Sequence, residues 1–396
     1  MIFSPRSHIF PSPEPPLDRR RIYPLFLPFG GCKSRCLFCA QPAQTGAEPV
    51  AGPTGVHAAL ARAGRDLLKW KNRPAPDSDP DPGLDLAFFG GTFTALAPED
   101  LRACLDFAVT WQERGVISRV RCSTRPDAVG AVGAVGAPLL ASLKAAGFSL
   151  VELGVQSFDD AALLASGRGY SAAEAKRACE LVQSSGLDLG VQLMPGLPGS
   201  TPESAMLDVE ECAALAPACA RLYPCLVLEE TSLAEIWRHG GYAPWSLEQA
   251  LNFLGPACLA LWRGGVPVIR MGLAQENGLE AKVLAGPRHP DLGGMAKGLA
   301  LYLYLREQVW RDTSSGLLCA PGQDRKSPAP SLKAAPSSSD AKLLYVPRTW
   351  QGAFFGHLGN LAPLYADLGL PRNAVRWWDR DYFALTSDCE LYQTMK

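Results

Sequence analysis

Between Ile22 and Val227 the chain passes six times from a short apolar, β-rich run into a helical one, and no other feature restricts the fold as strongly. Strands that return through helices pair in parallel, with right-handed crossovers, in an open sheet or a barrel. The predicted strands are Ile22 to Leu27, Leu84 to Phe89, Arg119 to Ser123, Ser149 to Val155, Leu187 to Leu193 and Arg221 to Val227. Helix signals fall between them. One helix covers Gly55 to Lys71, another starts near Pro98, Asp159 is placed to cap a third, and Ser171 to Glu174 forms a capping box. Thr201 caps a further helix, with Pro202 at its first position. The fold class is α/β, six strand–helix units in a parallel sheet or barrel.

Each strand runs into a polar or glycine-rich motif at its carboxyl end, where barrel active sites are assembled. After the first strand comes LPFGGCKSRCLFCA, which holds Cys32, Cys36 and Cys39. Three thiolates cannot close a structural zinc site, which takes four Cys or His ligands. They can hold three irons of a 4Fe-4S cluster and leave the fourth open to another ligand. Three inert buried cysteines are the plainer alternative. The later loops also carry two readings each. Gly90-Gly91-Thr92 offers open backbone and a hydroxyl to a ligand amine, or is a simple strand-to-helix turn. Ser123 and Gln156 suit ribose hydroxyls, or are polar strand ends. Arg168, between two glycines in SGRGY, suits a carboxylate clamp or a surface position.

Composition narrows the function classes. With 396 residues and 47% hydrophobic content the chain fills a large core, and 38 Lys plus Arg against 39 Asp plus Glu leave no global basic field for nucleic acid. Twelve cysteines without an apolar leader point to a reducing, cytoplasmic setting in which thiols stay free for metal. There is no run of eighteen apolar residues, so no membrane partner is expected.

Taken together, FFGGTFT, STRPD, VELGVQSFDD, SGRGY, MPGLPGST and LYPCLVLEETSLAEIW resemble the radical S-adenosylmethionine (SAM) enzymes, as does the C-x3-C-x-aromatic-C array. Within that superfamily the likeness is to the elongator catalytic subunit and a shorter bacterial group, and more distantly to oxygen-independent coproporphyrinogen oxidase. It runs from about Tyr23 to Pro290. The resemblance implies a partial (β/α)6 radical SAM barrel with a 4Fe-4S cluster on Cys32, Cys36 and Cys39. It implies SAM contacts from Phe38, Gly90, Gly91, Thr92, Ser123, Gln156, Arg168, Gln192 and Met194, with Arg168 at the carboxylate. A flavodoxin- or ferredoxin-type electron donor would reduce the cluster, and SAM would break to methionine and a 5′-deoxyadenosyl radical that abstracts hydrogen. No further catalytic residue is named. The elongator subunit spaces its first two cysteines further apart and carries an acetyltransferase domain, which nothing after Pro290 resembles. The short group usually has threonine and histidine where this chain has Cys225 and Tyr170. Cys225 reads as a radical quencher or a small buried filler, and Cys212, Cys219 and Cys225 match no second-cluster spacing.

The expected domains are a loose arm over residues 1–20, the radical SAM core and its extension over 21–311, a flexible linker over 312–340 and a small α/β segment over 341–396. Ser246 and Gln249 open a helix to Trp262, and Gly265 to Gly272 reads as a strand. His289 follows as a substrate contact or a loop residue. In the last segment Lys342 to Pro347 reads as a strand, Thr349 to Phe355 as a helix, Gly356 to Gly359 as a G-x-x-G turn, Asn360 to Leu368 as a helix and Ala374 to Trp378 as a strand. That is the order of a KH-type RNA clamp or of a capped helical hairpin. Two function classes follow: a radical SAM enzyme on RNA, tRNA foremost, or one on a small metabolite or tetrapyrrole. A non-catalytic cluster or heme carrier is the third.

Overall fold

The computed structural model describes residues 7–17, 20–28, 30–32, 35–40, 53–71, 83–129, 136–272, 280–314 and 342–386. They form two compact units. The smaller takes its residues from 1–15, 254–259 and 291–396, the larger from 16–253 and 260–290. The first strand, β1 (Ser7–Pro11), belongs to the smaller unit.

The larger unit is a half-barrel. Strands β2 (Arg21–Phe26), β3 (Leu84–Phe89), β4 (Ile117–Thr124), β5 (Phe148–Gln156), β6 (Asp188–Leu193) and β7 (Cys219–Leu222) pair side by side in chain order, all parallel. A seventh strand beyond β7, Val268–Met271, completes the sheet and matches the expected strand over 265–272. Helices cross between the strands: α1 (Pro53–Lys71), α2 (Pro98–Glu113), α3 (Gly136–Ala145), α4 (Asp160–Ala165), α5 (Ala172–Ser184) and α6 (Pro202–Leu215). The caps are those the sequence specifies. Asp159 accepts from the Ala161 amide, and Ser171 with Glu174 closes a capping box. Thr201 does the same with Ser204, behind Pro202.

The sixth strand is shorter than expected. It stops at Leu222, and Val227–Leu228, as β8, pairs instead with Val283–Ala285 in a separate antiparallel ribbon. Pro224 has no amide proton for a sheet ladder, which accounts for the break. Cys219 opens β7. Helices α7 (Ser232–Arg238) and α8 (Leu247–Arg263) follow, the latter with the Ser246 and Gln249 capping box in place. For order, the seventh barrel strand is β9 and the partner of β8 is β10.

The smaller unit corrects two expectations. Residues 7–11 are not a loose arm but a strand paired antiparallel with β13 (Tyr382–Thr386), in a four-stranded sheet of order β1-β13-β11-β12. There β11 (Leu343–Pro347) and β12 (Val375–Trp378) lie parallel. Phe10 stacks on Phe383 at 5.5 Å, and helix α9 (Leu292–Ser314) supplies Tyr304, whose hydroxyl donates to the Pro11 carbonyl at 3.0 Å. The expected helix over 349–355 is a single 3-10 turn, Arg348–Trp350, and the G-x-x-G lies in another, ahead of α10 (Ala362–Asp367). Residues 312–314 finish α9, and the remainder of the expected linker lies outside the described residues. Among the described residues no helix is long and apolar enough to cross a membrane.

Candidate active site

The cysteine loop leaves β2 with the Leu27 amide still donating to the Phe89 carbonyl at 2.7 Å, so it runs out beside β3. It then meets the loop after β3 backbone to backbone. The Thr92 amide donates to the Gly30 carbonyl at 2.9 Å. A Cβ on Gly91, whose φ is +60°, would stand 2.1 Å from that same oxygen, and one on Gly31, with φ +77°, would stand 2.4 Å from the Thr92 carbonyl. Only glycine permits this approach at these angles. It brings the Thr92 hydroxyl to 3.0 Å from the Cys32 sulfur. On the loop's far side the Leu37 amide donates to Ser166 at 3.1 Å, and the Leu37 carbonyl accepts from Leu233 at 2.9 Å.

Cys36 is buried under two arginines that the strand ends deliver from β4 and from beyond α4. Arg168 donates to its sulfur at 3.0 Å and Arg125 at 3.3 Å. Arg125 also grips both carboxylate oxygens of Asp127, at 2.8 and 3.0 Å, and the Arg168 carbonyl at 2.5 Å. Arg168 further donates to the Gly154 carbonyl and, at 2.9 and 2.6 Å, to the Tyr170 hydroxyl. Burial opposes both charges. The bonds to Asp127 outweigh it at Arg125, and Tyr170 and Cys36 outweigh it at Arg168, so both guanidiniums are held above their ordinary range. Burial pushes Tyr170 up to about 12 against the pull of Arg168 and Arg125.

The other sequence-named residues gather at the same strand ends. Gln156 closes β5 at a register irregularity with φ +69°, a left-handed conformation that is costly for a residue with a side chain and concentrates at functional sites. Its side-chain oxygen accepts from Gln192 at 3.0 Å, and its carbonyl from the Met194 amide at 2.8 Å. Ser123 stands half-buried one residue before the end of β4. Cys36, Phe38 and Cys225 share one apolar cluster, against which Cys39, Met194 and Tyr242 pack. Cys225 is therefore at the site, yet burial holds its thiol up at about 12 despite a hydrogen bond with Tyr242. It is a neutral thiol at physiological pH. His289, half-buried, lies in the loop after β10.

Below these loops the sheet carries a buried ionic layer. Asp85 of β3, Arg121 of β4, Glu152 of β5 and Arg221 of β7 are all under 10% exposed. Arg221 forks onto Glu152, through Nε to one oxygen and Nη2 to the other at 3.1 Å, and donates to Tyr223 at 2.9 Å. Arg121 bridges Glu152 at 3.6 Å and Asp85 at 3.5 Å.

Residues 26–211 match the Radical SAM superfamily and residues 217–298 the Radical SAM C-terminal domain. The chain belongs to the radical SAM superfamily. It is 31% identical over 194 residues to the tRNA uridine(34) acetyltransferase of Methanocaldococcus jannaschii, covering 44% of this chain and 35% of that protein. It is 36% identical over 103 residues to the heme chaperone HemW of Haemophilus influenzae, covering 26% and 27%. The chain thus spans about a third of the length of the acetyltransferases it matches. The solved structure of Methanocaldococcus infernus Elp3 with an N-terminal deletion superposes with a TM-score of 0.51 at 22% identity, over 73% of this chain and 63% of that one, which is a likeness of fold.

Membership of this superfamily implies an iron–sulfur cluster and SAM. The donor set fits the cluster. The loop offers three thiols, soft ligands suited to iron–sulfur chemistry, and two guanidiniums face the middle one to balance thiolate charge. Among the described residues no three His, Cys, Asp or Glu groups already stand together as a metal site, and residues 33–34 of the loop lie outside that description. Cys212 and Cys219 are buried thiols, the second held up at about 12, chiefly by burial. Sequence reasoning passed over Arg125 in STRPD and the ionic layer. The layer had a signal: one charge inside each of the mostly apolar runs LDLAFF and FSLVELGVQ, and Arg121 inside ISRVRCST between them.

Proposed function

We propose that this enzyme binds a 4Fe-4S cluster through Cys32, Cys36 and Cys39 and acts on a tRNA nucleoside. When bound, the cluster supplies the electron that cleaves SAM reductively into methionine and a hydrogen-abstracting 5′-deoxyadenosyl radical. The observation that carries the reading is the locked pairing of the cysteine loop with the Gly90-Gly91-Thr92 loop, under a buried Arg168.

The protein's part is to bind, orient and exclude water. Thr92, with the backbone of Gly90 and Gly91, offers donors and acceptors for the amine of SAM, and Arg168 offers the cation for its carboxylate. Gln156, Gln192 and Ser123, at three neighbouring strand ends, suit the ribose. Phe38 and Met194, on one apolar cluster, suit the adenine. What supports tRNA is the identity of the relatives at about 30% to 31%, named for tRNA uridine modification. The likeness to HemW, a heme chaperone, favours a heme carrier as the second reading.

The test is 5′-deoxyadenosine formation by anaerobically reconstituted, dithionite-reduced protein, with SAM and with or without bulk tRNA. Product that rises with tRNA supports the proposal. Product indifferent to tRNA overturns the substrate and turns the search to metabolites and tetrapyrroles. An intact cluster that never cleaves SAM would leave a carrier.

A further inference from the structure

Arg125 is more confined than positioning a loop requires. The residue is 6% exposed, and its charge meets Asp127 on one side and the Arg168 carbonyl on another. Its Nη1 donates to the Cys36 sulfur 3.3 Å away, and its guanidinium lies over the Tyr170 ring at 5.5 Å. Burying a cation is costly unless it meets a group that needs it. Asp127 is close by in sequence and part-exposed, and could be served from solvent. Cys36 cannot, because it is buried and belongs to an apolar cluster.

We propose that Arg125 is a positioning residue that sets the reduction potential of the cluster held through Cys36. The proposal rests on the reading that Cys36 is a cluster ligand. One-electron reduction by an external donor adds a negative charge that spreads onto the ligand sulfurs. A fixed N–H donor and a positive charge at such a sulfur stabilise the reduced form more than the oxidised one, the more so where water is excluded, and so raise the potential. Arg168 touches the same sulfur but is also assigned to the SAM carboxylate. Arg125 carries no SAM assignment, and Asp127 and the Arg168 carbonyl hold it in place. It therefore acts on the cluster whether or not SAM is present.

The experiment uses the full chain without SAM. Wild type, Arg125→Ala and Arg125→Lys are reconstituted anaerobically, iron and sulfide are counted, and the midpoint is read by potentiometric titration with electron paramagnetic resonance of the reduced cluster. Arg125→Ala is expected to lower the equilibrium constant for reduction about tenfold, a shift of about 59 mV to more negative potential for one electron. Arg125→Lys, which keeps the charge, should recover at least half of that shift. A fully loaded Arg125→Ala protein with the wild-type midpoint overturns the proposal and leaves Arg125 a structural residue. If Arg125→Ala loads poorly, Arg125→Gln replaces it, with the same two outcomes. Loss of the cluster from all these variants would also overturn it, in favour of a folding role. Failure of wild type to load any cluster would instead sink the ligand assignment itself.

Discussion

Replacing Gly91 with alanine tests whether the two glycine loops are what hold the cysteines in place. The new Cβ would lie 2.1 Å from the Gly30 oxygen and 2.8 Å from its nitrogen, where real Cβ contacts stay beyond 3.0 Å. Both neighbours are backbone, so no side chain can swing aside, and one loop must retreat by about 1 Å. Keeping φ at +60° costs an alanine roughly 1–2 kcal/mol. Losing the 2.9 Å bond from Thr92 to Gly30 costs about 1 kcal/mol more. The docked arrangement is then disfavoured by about 2–3 kcal/mol, or roughly 30- to 150-fold in population. Because the loops sit at the rim, the loss should fall on cluster loading and SAM binding rather than on the barrel. Iron and sulfide per chain, SAM affinity by calorimetry and the thermal midpoint are measured on the same preparations. Gly91→Ala loading a full cluster and binding SAM as wild type does would refute the reasoning.

The other two predictions concern the core. Glu152→Gln leaves Arg221 and Arg121 buried without their shared anion and should cost about 3–5 kcal/mol in urea unfolding, whereas a loss below about 1 kcal/mol would mean that the layer is well hydrated. Asp208 accepts from the Ser157 hydroxyl at 2.7 Å and the Phe158 amide at 2.6 Å, yet burial outweighs these bonds and lifts its carboxyl from 3.8 to about 6. A carboxyl raised in the folded state favours the protonated form there. Its contribution is complete below the unfolded value and is lost as pH rises through about 6. Asp208→Asn should flatten the part of the fall in stability between about pH 4 and pH 6 that this group causes. Parallel denaturation profiles for the two proteins across that range would exclude it.

What the sequence disclosed was local. Strand β3 was read to the residue because LDLAFF sits between a Pro/Asp run and two glycines. The Ser171 and Ser246 capping boxes were legible because each closes within three residues. Superfamily membership was equally plain, since its motifs are contiguous. What stayed hidden joins distant parts of the chain. Arg125 meets Cys36 across 89 positions, and Arg221 meets Glu152 across 69, so each arginine alone resembles a solvated strand residue. The proline-rich start disguised β1, whose partner lies at the other end of the sequence. The end of β7 was misjudged by extending an apolar run through Pro224.

The pairing of β1 with β13 also orders events in time. Domains fold as units while synthesis proceeds, and the strands of the half-barrel are all made by residue 271. The four-stranded sheet cannot follow the same schedule. Its member β13, flanked by β1 on one side and β11 on the other, is the last described strand to be made. Until Thr386 has been made, β1 waits more than 370 residues for its neighbour, and β11 keeps one edge open to any stray strand. A break in the chain ahead of Tyr382 would therefore be felt at Ser7, where it would unpair the first strand as well as remove the last.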